Sequence, residues 1–112
     1  MNIREVKVTE VGPRDGFQSE KTILKTEDKI DIINNLIEAG FPRIEVSSFV
    51  SPKAIPQLAD AESILSKVNR SSKTTLAALV PNSRGALRAV EAKLDQIVVF
   101  LSASESHNKK NV

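Results

Sequence analysis

Charged and polar side chains recur in this sequence at the points where predicted strands end. The segment VGPRDGFQSE, residues 11–20, places Arg14 and Asp15 side by side between two glycines, directly after a run of alternating valines. Loops at the carboxyl ends of parallel strands converge on one pocket, so this is where such a fold carries its functional groups. Arg14 and Asp15 are therefore candidate site residues, although Asp-Gly is also a common turn dipeptide and Asp15 could be a plain turn residue.

A further candidate, Glu45, lies within the sequence Ile-Glu-Val, where a strand of a parallel sheet normally carries apolar residues. A buried carboxylate requires a partner, and either Arg14 or a bound cation would serve. A structural ion pair and a functional carboxylate are both compatible with this position.

Other polar residues also follow predicted strands. Asn82 is best placed to cap a helix, and the single histidine, His107, lies in a polar tail that favours a solvated side chain over a metal ligand. The pair Lys109-Lys110 is ordinarily solvated, although the phosphate of a bound nucleotide would also suit it. The remaining polar residues at strand ends are Gln18, Ser48, Ser102, Ser104, Glu105 and Asn111.

Strands and helices are predicted to alternate along the chain. Apolar residues at helical spacing, with an N-cap at Thr26 and an acidic first turn, predict a helix that closes at Gly40. The predicted strands are 3–11, 43–47, 74–80 and 96–101, and the predicted helices are 26–40, 58–68 and one after Asn82 with Ala86, Leu87 and Val90 on its apolar face.

This β-α-β-α-β-α-β order predicts an α/β fold with a parallel sheet, since each right-handed crossover returns the chain to the same edge. Four strands and three helices correspond to the N-terminal half of a (β/α)8, or TIM, barrel, a fold that typically needs about 250 residues. We therefore expect residues 1–112 to form one partial barrel domain, truncated after its fourth strand. A small open α/β sheet is the competing architecture, but GPRDG is not a glycine-rich phosphate fingerprint.

Composition excludes several classes of function. Sixteen basic and fourteen acidic residues leave a net charge of only +2, and the chain has no Trp or Tyr, so nucleic-acid binding is not expected. The absence of cysteine excludes disulfides and thiolate zinc sites within the sequence. The N-terminus has no continuous apolar stretch, so we expect neither a signal peptide nor a membrane span and assign the chain to the cytoplasm.

Four segments resemble hydroxymethylglutaryl-CoA lyases, which belong to a superfamily of metal-dependent barrels that share an R-D-G-x-Q opening. These segments are VGPRDGFQSE, IEVSSFVSPKAIPQLADAE, LVPNSRGALRAV and VVFLSASESHNKKN, and the resemblance covers nearly all of the 112 residues. The R-D-G motif is shared with isopropylmalate synthase, homocitrate synthase and the carboxyltransferase domain of pyruvate carboxylase, so it indicates the superfamily. The segments SFVSPK-x-x-P-Q and SASE-x-x-x-KKN indicate the lyase branch more specifically.

The resemblance implies cleavage of 3-hydroxy-3-methylglutaryl-CoA into acetyl-CoA and acetoacetate, with Mg²⁺ or Mn²⁺ as the cofactor. It also implies that Asp15 binds the metal, that Arg14 acts catalytically at the thioester oxygen, and that Glu45 holds Arg14 or assists proton transfer. The residues implied to bind the acyl-CoA substrate or to order the site are Arg14, Gln18, Ser48 and Asn111.

The chain departs from that family in the site residues that it lacks. The family completes its metal site with a His-x-His pair and an Asn from later strands and supplies a catalytic Cys from a glycine-rich loop. None of these is present in the sequence. We therefore expect the isolated chain to have negligible lyase activity.

Two alternative functions stay open at this point. Half a barrel would expose its outer strands and much apolar interior, so the chain could act as a non-catalytic module that self-associates as a homo-oligomer. An acyl transfer onto a 2-oxo acid, as in the related synthases, is the other alternative, and the segment SFVSPK argues against it.

Overall fold

Strands and helices alternate along the polypeptide, as the hydrophobic spacing predicts. The computed structural model describes residues 5–106, in which four strands pair in sequence order as one parallel sheet. The strands are β1 (Thr9–Glu10), β2 (Arg43–Ser48), β3 (Thr75–Leu79) and β4 (Gln96–Val98), and the helices are α1 (Thr26–Glu38), α2 (Ala61–Lys67) and α3 (Ser83–Glu91). Sequential order with parallel neighbours is the arrangement of a (β/α)8 barrel, whereas a doubly wound open sheet reverses its strand order.

The hydrophobic core lies between the helices and one face of β2 and β3. Ile44 and Val46 on β2, and Leu76 and Ala78 on β3, belong to this core and follow the two-residue period of a strand. Burial of each larger side chain contributes about 1.5–3 kcal/mol, so this cluster is the main source of stability for the sheet. The buried residues that the helices add are Ile30, Ile33, Ala61, Ile64, Leu65 and Ala89.

Two predicted helix termini are confirmed. Gly40, at φ +92°, follows the end of α1 in a left-handed conformation that glycine adopts without strain. Asn82 caps α3, because its Oδ1 accepts a hydrogen bond from the amide of Gly85 at 2.9 Å. No helix within residues 5–106 has the length and apolar character needed to cross a membrane.

The start of α1 differs from the prediction by one residue. Lys25 occupies the N-cap position and Thr26 is the first helical residue. The hydroxyl of Thr26 donates a hydrogen bond to Asp60 Oδ2 at 2.7 Å instead of capping its own helix. The hydroxyl that the local pattern predicts as a helix cap therefore binds a residue distant in sequence, Asp60, instead.

Three elements are shorter than predicted by three residues or more. Residues 3 and 4 of the predicted strand 3–11 lie outside the described residues, and within 5–11 only Thr9–Glu10 forms a strand, β1, while Val6 and Val8 before it are exposed. The predicted helix 58–68 is reduced to α2, because Pro56–Leu58 forms a separate 3-10 turn. The predicted strand 96–101 is reduced to β4. β1 and β4 each have one neighbouring strand within the described sheet, which limits the length of backbone that pairing can hold extended.

Helix α3 packs through its smallest residues, and the predicted apolar face is confirmed for Ala86, which packs against the core, but wrong for Leu87 and Val90. Gly85 and Ala89 are buried, whereas Leu87 and Val90 are exposed. A Cβ atom on Gly85 would lie 2.7 Å from the carbonyl oxygen of Phe49, so the helix approaches the chain after β2 too closely for a larger side chain. The close approach decides which face of α3 is buried, and the hydrophobic pattern does not show it.

Candidate active site

A groove lies along the carboxyl ends of the four strands. Its volume is about 370 Å³, and the end of every strand contributes to its wall. The lining residues are Arg14 and Gln18 after β1, Ser48 and Val50 at the end of β2, Ile55 from the β2–α2 loop (residues 49–60), Leu79 and Pro81 at the end of β3, and Phe100 after β4. Three of the predicted site residues, Arg14, Gln18 and Ser48, therefore meet in one groove.

A π-helical turn, Gly12–Gly16, places Arg14 at the end of β1. The amides of Arg14 and Asp15 both donate to the carbonyl oxygen of Val11, at 3.1 and 2.7 Å. Pro13 is buried at the start of the turn, where its missing N–H costs nothing because the first amides of a helical turn have no partner within it. The chain thus changes from strand to helical turn at once, and residue 14 stays beside the neighbouring strand.

Arg14 is held between two carboxylates. Its Nε donates a hydrogen bond to Glu45 Oε1 at 3.1 Å, and its Nη1 donates to Asp15 Oδ1 at 3.2 Å. The side chains of Arg14 and Glu45 are 21% and 10% exposed, whereas the side chain of Asp15 is 65% exposed. Glu45 is therefore the inner partner that fixes the guanidinium, and Asp15 is an outer carboxylate open to solvent.

A β-bulge in β2 places Ser48 on the same face as Glu45. Glu45 pairs in register with Ala77 of β3, and Ser48 pairs with Leu79, so three steps along β2 match two along β3. In a regular strand, residues three apart point to opposite faces, and Ser48 would then point away from the groove. The irregularity lies between Glu45 and Ser47. It gives the groove both a carboxylate behind Arg14 and a hydroxyl on its wall.

Residues 5–106 do not form a complete metal site. In this part of the chain, no three His, Cys, Asp or Glu side chains lie close enough together to hold a metal ion. Asp15 is an accessible carboxylate beside the groove, and one carboxylate suits Mg²⁺ or Mn²⁺ only as part of a larger set of oxygen ligands. The predicted role of Asp15 fits its position, but its described neighbours do not complete the ligand set.

The apolar wall of the groove was missed by sequence reasoning. Val50, Ile55, Leu79 and Phe100 line the groove together with its polar residues, and none of them was a predicted site residue. Apolar side chains at strand ends resemble core residues, so a search for polar groups passes over them. Their position at or just beyond the end of a predicted strand was the feature of the sequence that could have identified them as groove residues.

One predicted substrate-binding residue cannot be placed. Asn111 lies outside the described residues, as does His107. The five other candidates are brought together: Arg14, Gln18 and Ser48 line the groove, and Glu45 and Asp15 bind Arg14. The chemical roles of all six stay predictions.

Comparison with known proteins agrees with this arrangement. A model of the HMGL-like family matches residues 5–112. Hydroxymethylglutaryl-CoA lyase YngG of Bacillus subtilis is 49% identical over 109 residues, which are 97% of this chain and 36% of that protein. A solved structure of an HMG-CoA lyase from Acinetobacter baumannii, in complex with coenzyme A and 3-methylmalate, matches with a TM-score of 0.93 at 48% identity and covers 99% of this chain and 37% of that one.

The chain spans about a third of the length of the curated relatives it matches. Rattus norvegicus has relatives named mitochondrial and cytoplasmic, 45% and 46% identical to this chain, so the predicted cytoplasmic location stays a prediction. The structural matches confirm the predicted α/β barrel-type fold, and the sequence matches confirm the resemblance to hydroxymethylglutaryl-CoA lyases. Because the family model covers nearly the whole sequence, the chain belongs to the HMGL-like family.

Proposed function

We propose that this chain supplies the charge-stabilising and substrate-binding part of an enzyme that cleaves 3-hydroxy-3-methylglutaryl-CoA into acetyl-CoA and acetoacetate. The observation that carries the proposal is the meeting of Arg14, Gln18 and Ser48 in one groove, with Arg14 fixed by Glu45. The names of the relatives support the choice of substrate, since the Bacillus subtilis protein is named a hydroxymethylglutaryl-CoA lyase and the Acinetobacter baumannii structure contains coenzyme A.

The proposed cleavage is a retro-aldol reaction of Claisen type. The C3 hydroxyl loses its proton, the bond between C2 and C3 breaks, and its electron pair forms the enolate of acetyl-CoA. C3 becomes the ketone carbon of acetoacetate, and one proton added to the enolate carbon completes acetyl-CoA. Negative charge develops on the C3 oxygen and then on the thioester oxygen, so these are the atoms that the site must stabilise.

Arg14 is suited to stabilise this charge. Among the described residues, two of its five N–H groups bind carboxylates, which leaves three to donate to substrate oxygens. Glu45 holds the guanidinium in place before substrate binds, so little reorganisation is required when the charge develops. Gln18 and Ser48 offer polar groups on the same groove wall, where they would orient the acyl chain.

Asp15 is the residue of this chain that would hold a divalent cation, as one ligand among several. Mg²⁺ or Mn²⁺, when bound, supplies Lewis-acid stabilisation of the substrate oxygens. The carboxylate of Asp15 is open to solvent and lies 3.2 Å from Arg14 Nη1, so a ligand that reaches Arg14 also comes within reach of Asp15.

A chimera tests the proposed function. This chain replaces the matching segment of the Bacillus subtilis relative, with which it shares 49% identity. Release of acetoacetate from 3-hydroxy-3-methylglutaryl-CoA is then measured, and we expect turnover that depends on an added divalent cation. A folded chimera that releases no acetoacetate at saturating substrate would contradict the proposal, and release of CoA only with an added 2-oxo acid would favour the synthase alternative.

Substitution of Asp15 by alanine in this chimera tests the metal role. We expect turnover to fall by about 10³-fold, since a bound cation contributes several kcal/mol to charge stabilisation. The fold should be unaffected, because the Asp15 side chain is largely exposed. Asp31→Ala is the matched control, because Asp31 is an exposed aspartate on α1. Equal turnover in the two variants would remove Asp15 from the proposed site.

We also propose that the chain by itself self-associates through its sheet edges. Large apolar side chains are exposed before β1, at Val6 and Val8, and on or after β4, at Ile97, Val99 and Leu101. Exposed edge strands pair readily with other chains. Sedimentation of the 112-residue chain over a range of concentrations should show species larger than a monomer. A monomer at every concentration would contradict this second proposal and leave the first unaffected.

A further inference from the structure

Lys29 on α1 is a buried cation that the proposed chemistry does not use. It is 1% exposed, which is rare for lysine because removal of an ammonium group from water costs several kcal/mol. Its Nζ donates to the carbonyl oxygen of Gln57 at 2.6 Å and to Asp60 Oδ1 and Oδ2 at 2.9 and 3.1 Å. All three ammonium protons therefore have an acceptor.

Stability alone does not account for this arrangement. An apolar side chain of similar volume at such a position is often as stable as a buried ion pair, because it avoids the desolvation of two charges. The ion pair instead fixes a relative position, since three directed hydrogen bonds hold the β2–α2 loop against α1.

The partners of Lys29 lie in the loop that forms one wall of the groove. Gln57 and Asp60 belong to the β2–α2 loop, which contributes Val50 and Ile55 to the groove lining. Ile55 is tied to the anchored segment by a hydrogen bond from the amide of Leu58 to its carbonyl oxygen, at 3.1 Å. The position of Ile55 therefore depends on the segment that Lys29 holds.

The same segment also contacts the chain that follows β1. Gln57 Nε2 donates to the carbonyl oxygen of Glu20 at 3.2 Å, and Glu20 lies just after Gln18, beyond the turn that carries Arg14. Thr26 strengthens the anchor by its hydrogen bond to Asp60. Gln57 thus connects the buried ammonium group of Lys29 to the chain that follows the Arg14 turn.

We propose that Lys29 is a positioning residue, whose buried ammonium fixes the β2–α2 loop and so the position of Ile55 in the groove that Arg14 also lines. The part of this inference that concerns substrate rests on the proposed function. The part that concerns the loop does not.

The loop is tested on the 112-residue chain by hydrogen exchange of backbone amides. In Lys29→Met, the amides of Ala54, Ile55 and Leu58, which bind carbonyls within the loop, should exchange at least about tenfold faster. The amide of Phe49, which binds Leu79 across the sheet, should not be accelerated in this way. Unchanged protection of the loop amides would overturn the proposal.

Two further variants make this comparison decisive. Arg70→Met is the control, since Arg70 also binds backbone carbonyls and a carboxylate but lies outside the β2–α2 loop. It should leave the exchange of the loop amides unchanged. Thr26→Val removes one hydrogen bond on Asp60 with little change of shape, and it should accelerate exchange of the same amides to a smaller extent. This variant still tests the proposal if Lys29→Met does not fold.

The substrate is tested in the chimera with 3-hydroxy-3-methylglutaryl-CoA. Lys29→Met should raise KM about tenfold with a smaller change in kcat, since a displaced wall weakens binding of substrate and transition state alike. Arg70→Met should change neither constant. If the loop amides are accelerated but KM is unchanged, the positioning role is overturned. If the unsubstituted chimera is inactive, the proposed function fails, and the exchange measurement still decides whether Lys29 fixes the loop.

Discussion

At the amino end of the sheet, where β3 and β4 begin, Arg70 and Asp95 bind backbone atoms, whereas at the carboxyl end Arg14 binds carboxylates beside a groove. Arg70 at the amino end donates to the carbonyl oxygens of Lys93 and Ala92 at 2.6 and 3.0 Å. Asp95 accepts a hydrogen bond from the amide of Leu76 at 2.9 Å. These contacts satisfy backbone groups at the ends of elements, which is a structural role.

At the carboxyl end, the main polar contacts join side chains. Arg14 binds Glu45 and Asp15, and both Arg14 and Ser48 face a groove of about 370 Å³. Both Arg14 and Arg70 line cavities, but Arg14 is bound by carboxylates and Arg70 chiefly by backbone carbonyls. The partner of a polar side chain and its place at the carboxyl-end groove therefore distinguish a functional residue from a structural one in this fold.

Among the variants that compare the two ends of the sheet, the largest effect is expected when Arg14 and Arg70 are each replaced by methionine. In the chimera, Arg14→Met should lower turnover by about 10²–10³-fold, the size of effect seen when one donor to a developing oxyanion is removed. Arg70→Met should leave turnover unchanged and lower the free energy of unfolding by about 1 kcal/mol, because the carbonyls it leaves are accessible to water. Acetoacetate release and urea denaturation measure the two effects.

Substitution of Arg14 also allows an effect on turnover to be separated from an effect on the free energy of unfolding. Arg14→Met leaves Glu45 buried without its partner, so this variant should lose stability as well as turnover. Glu45→Gln in the Arg14→Met background removes the unpaired charge and should recover stability without recovering turnover. Turnover that returns with stability would show that Arg14 acts only through the fold, and the contrast between the two ends would then fail.

A large effect on stability is expected at Gly85, which packs closely against Phe49, just after the carboxyl end of β2. Gly85→Ala brings a Cβ atom within 2.7 Å of the carbonyl oxygen of Phe49, so α3 or the chain after β2 must shift. Overpacking of this kind costs about 1–3 kcal/mol. Ala86→Gly is a control of opposite sense on the same helix, and it should cost about 1–2 kcal/mol through helix propensity and the loss of a partly buried methyl group. Thermal unfolding of the two variants distinguishes the mechanisms.

A moderate effect is expected from Asp95 at the amino end. Asp95→Ala leaves the amide of Leu76 without its acceptor, and loss of a hydrogen bond to a partly buried amide costs about 1–2 kcal/mol. Turnover of the chimera should not change, because Asp95 lies at the end of the sheet opposite the groove. A fall in turnover larger than the loss of folded protein would contradict the purely structural role of Asp95 at the amino end of the sheet.

The order of elements and several local devices could be predicted from the sequence. Alternating strand and helix patterns are encoded in neighbouring residues, as are the glycine that follows α1 at Gly40 and the cap at Asn82. The pairing of Glu45 with Arg14 was also predictable as one of two alternatives, because a carboxylate within an apolar strand needs a cationic partner.

Features that depend on contacts distant in sequence could not be predicted in this way. The bulge that turns Ser48 toward the groove is visible only in the register of β2 with β3. The buried face of α3 follows from the close approach of Gly85 to Phe49, and a search for large apolar residues selects Leu87 and Val90 instead. Likewise, Lys29 at a helix position looks like a solvated cation until its partners in a distant loop are known.

The smallest expected effect concerns Glu62 on α2, whose pKa is held below its ordinary value of 4.5, chiefly by a hydrogen bond from Arg88. A carboxyl group with a lowered pKa in the folded state stabilises the protein above its ordinary pKa, and this contribution is lost as pH falls through the lowered value. Glu62 is 43% exposed, so solvent screening keeps the contribution below about 1 kcal/mol. The difference in unfolding free energy between the unsubstituted chain and Glu62→Gln should therefore be constant near neutral pH and shrink below pH 4.5.

Glu62 and Arg88 also sharpen the distinction between the two ends of the sheet. They form a pair of side chains that belongs to α2 and α3, and neither residue lines the groove. Glu62→Gln should therefore leave the turnover of the chimera unchanged, although it breaks a side-chain ion pair as Arg14→Met does. If turnover falls in Glu62→Gln by more than the folded fraction, pairing between side chains would matter for function away from this groove, and exposure to the groove would lose its value as the deciding criterion.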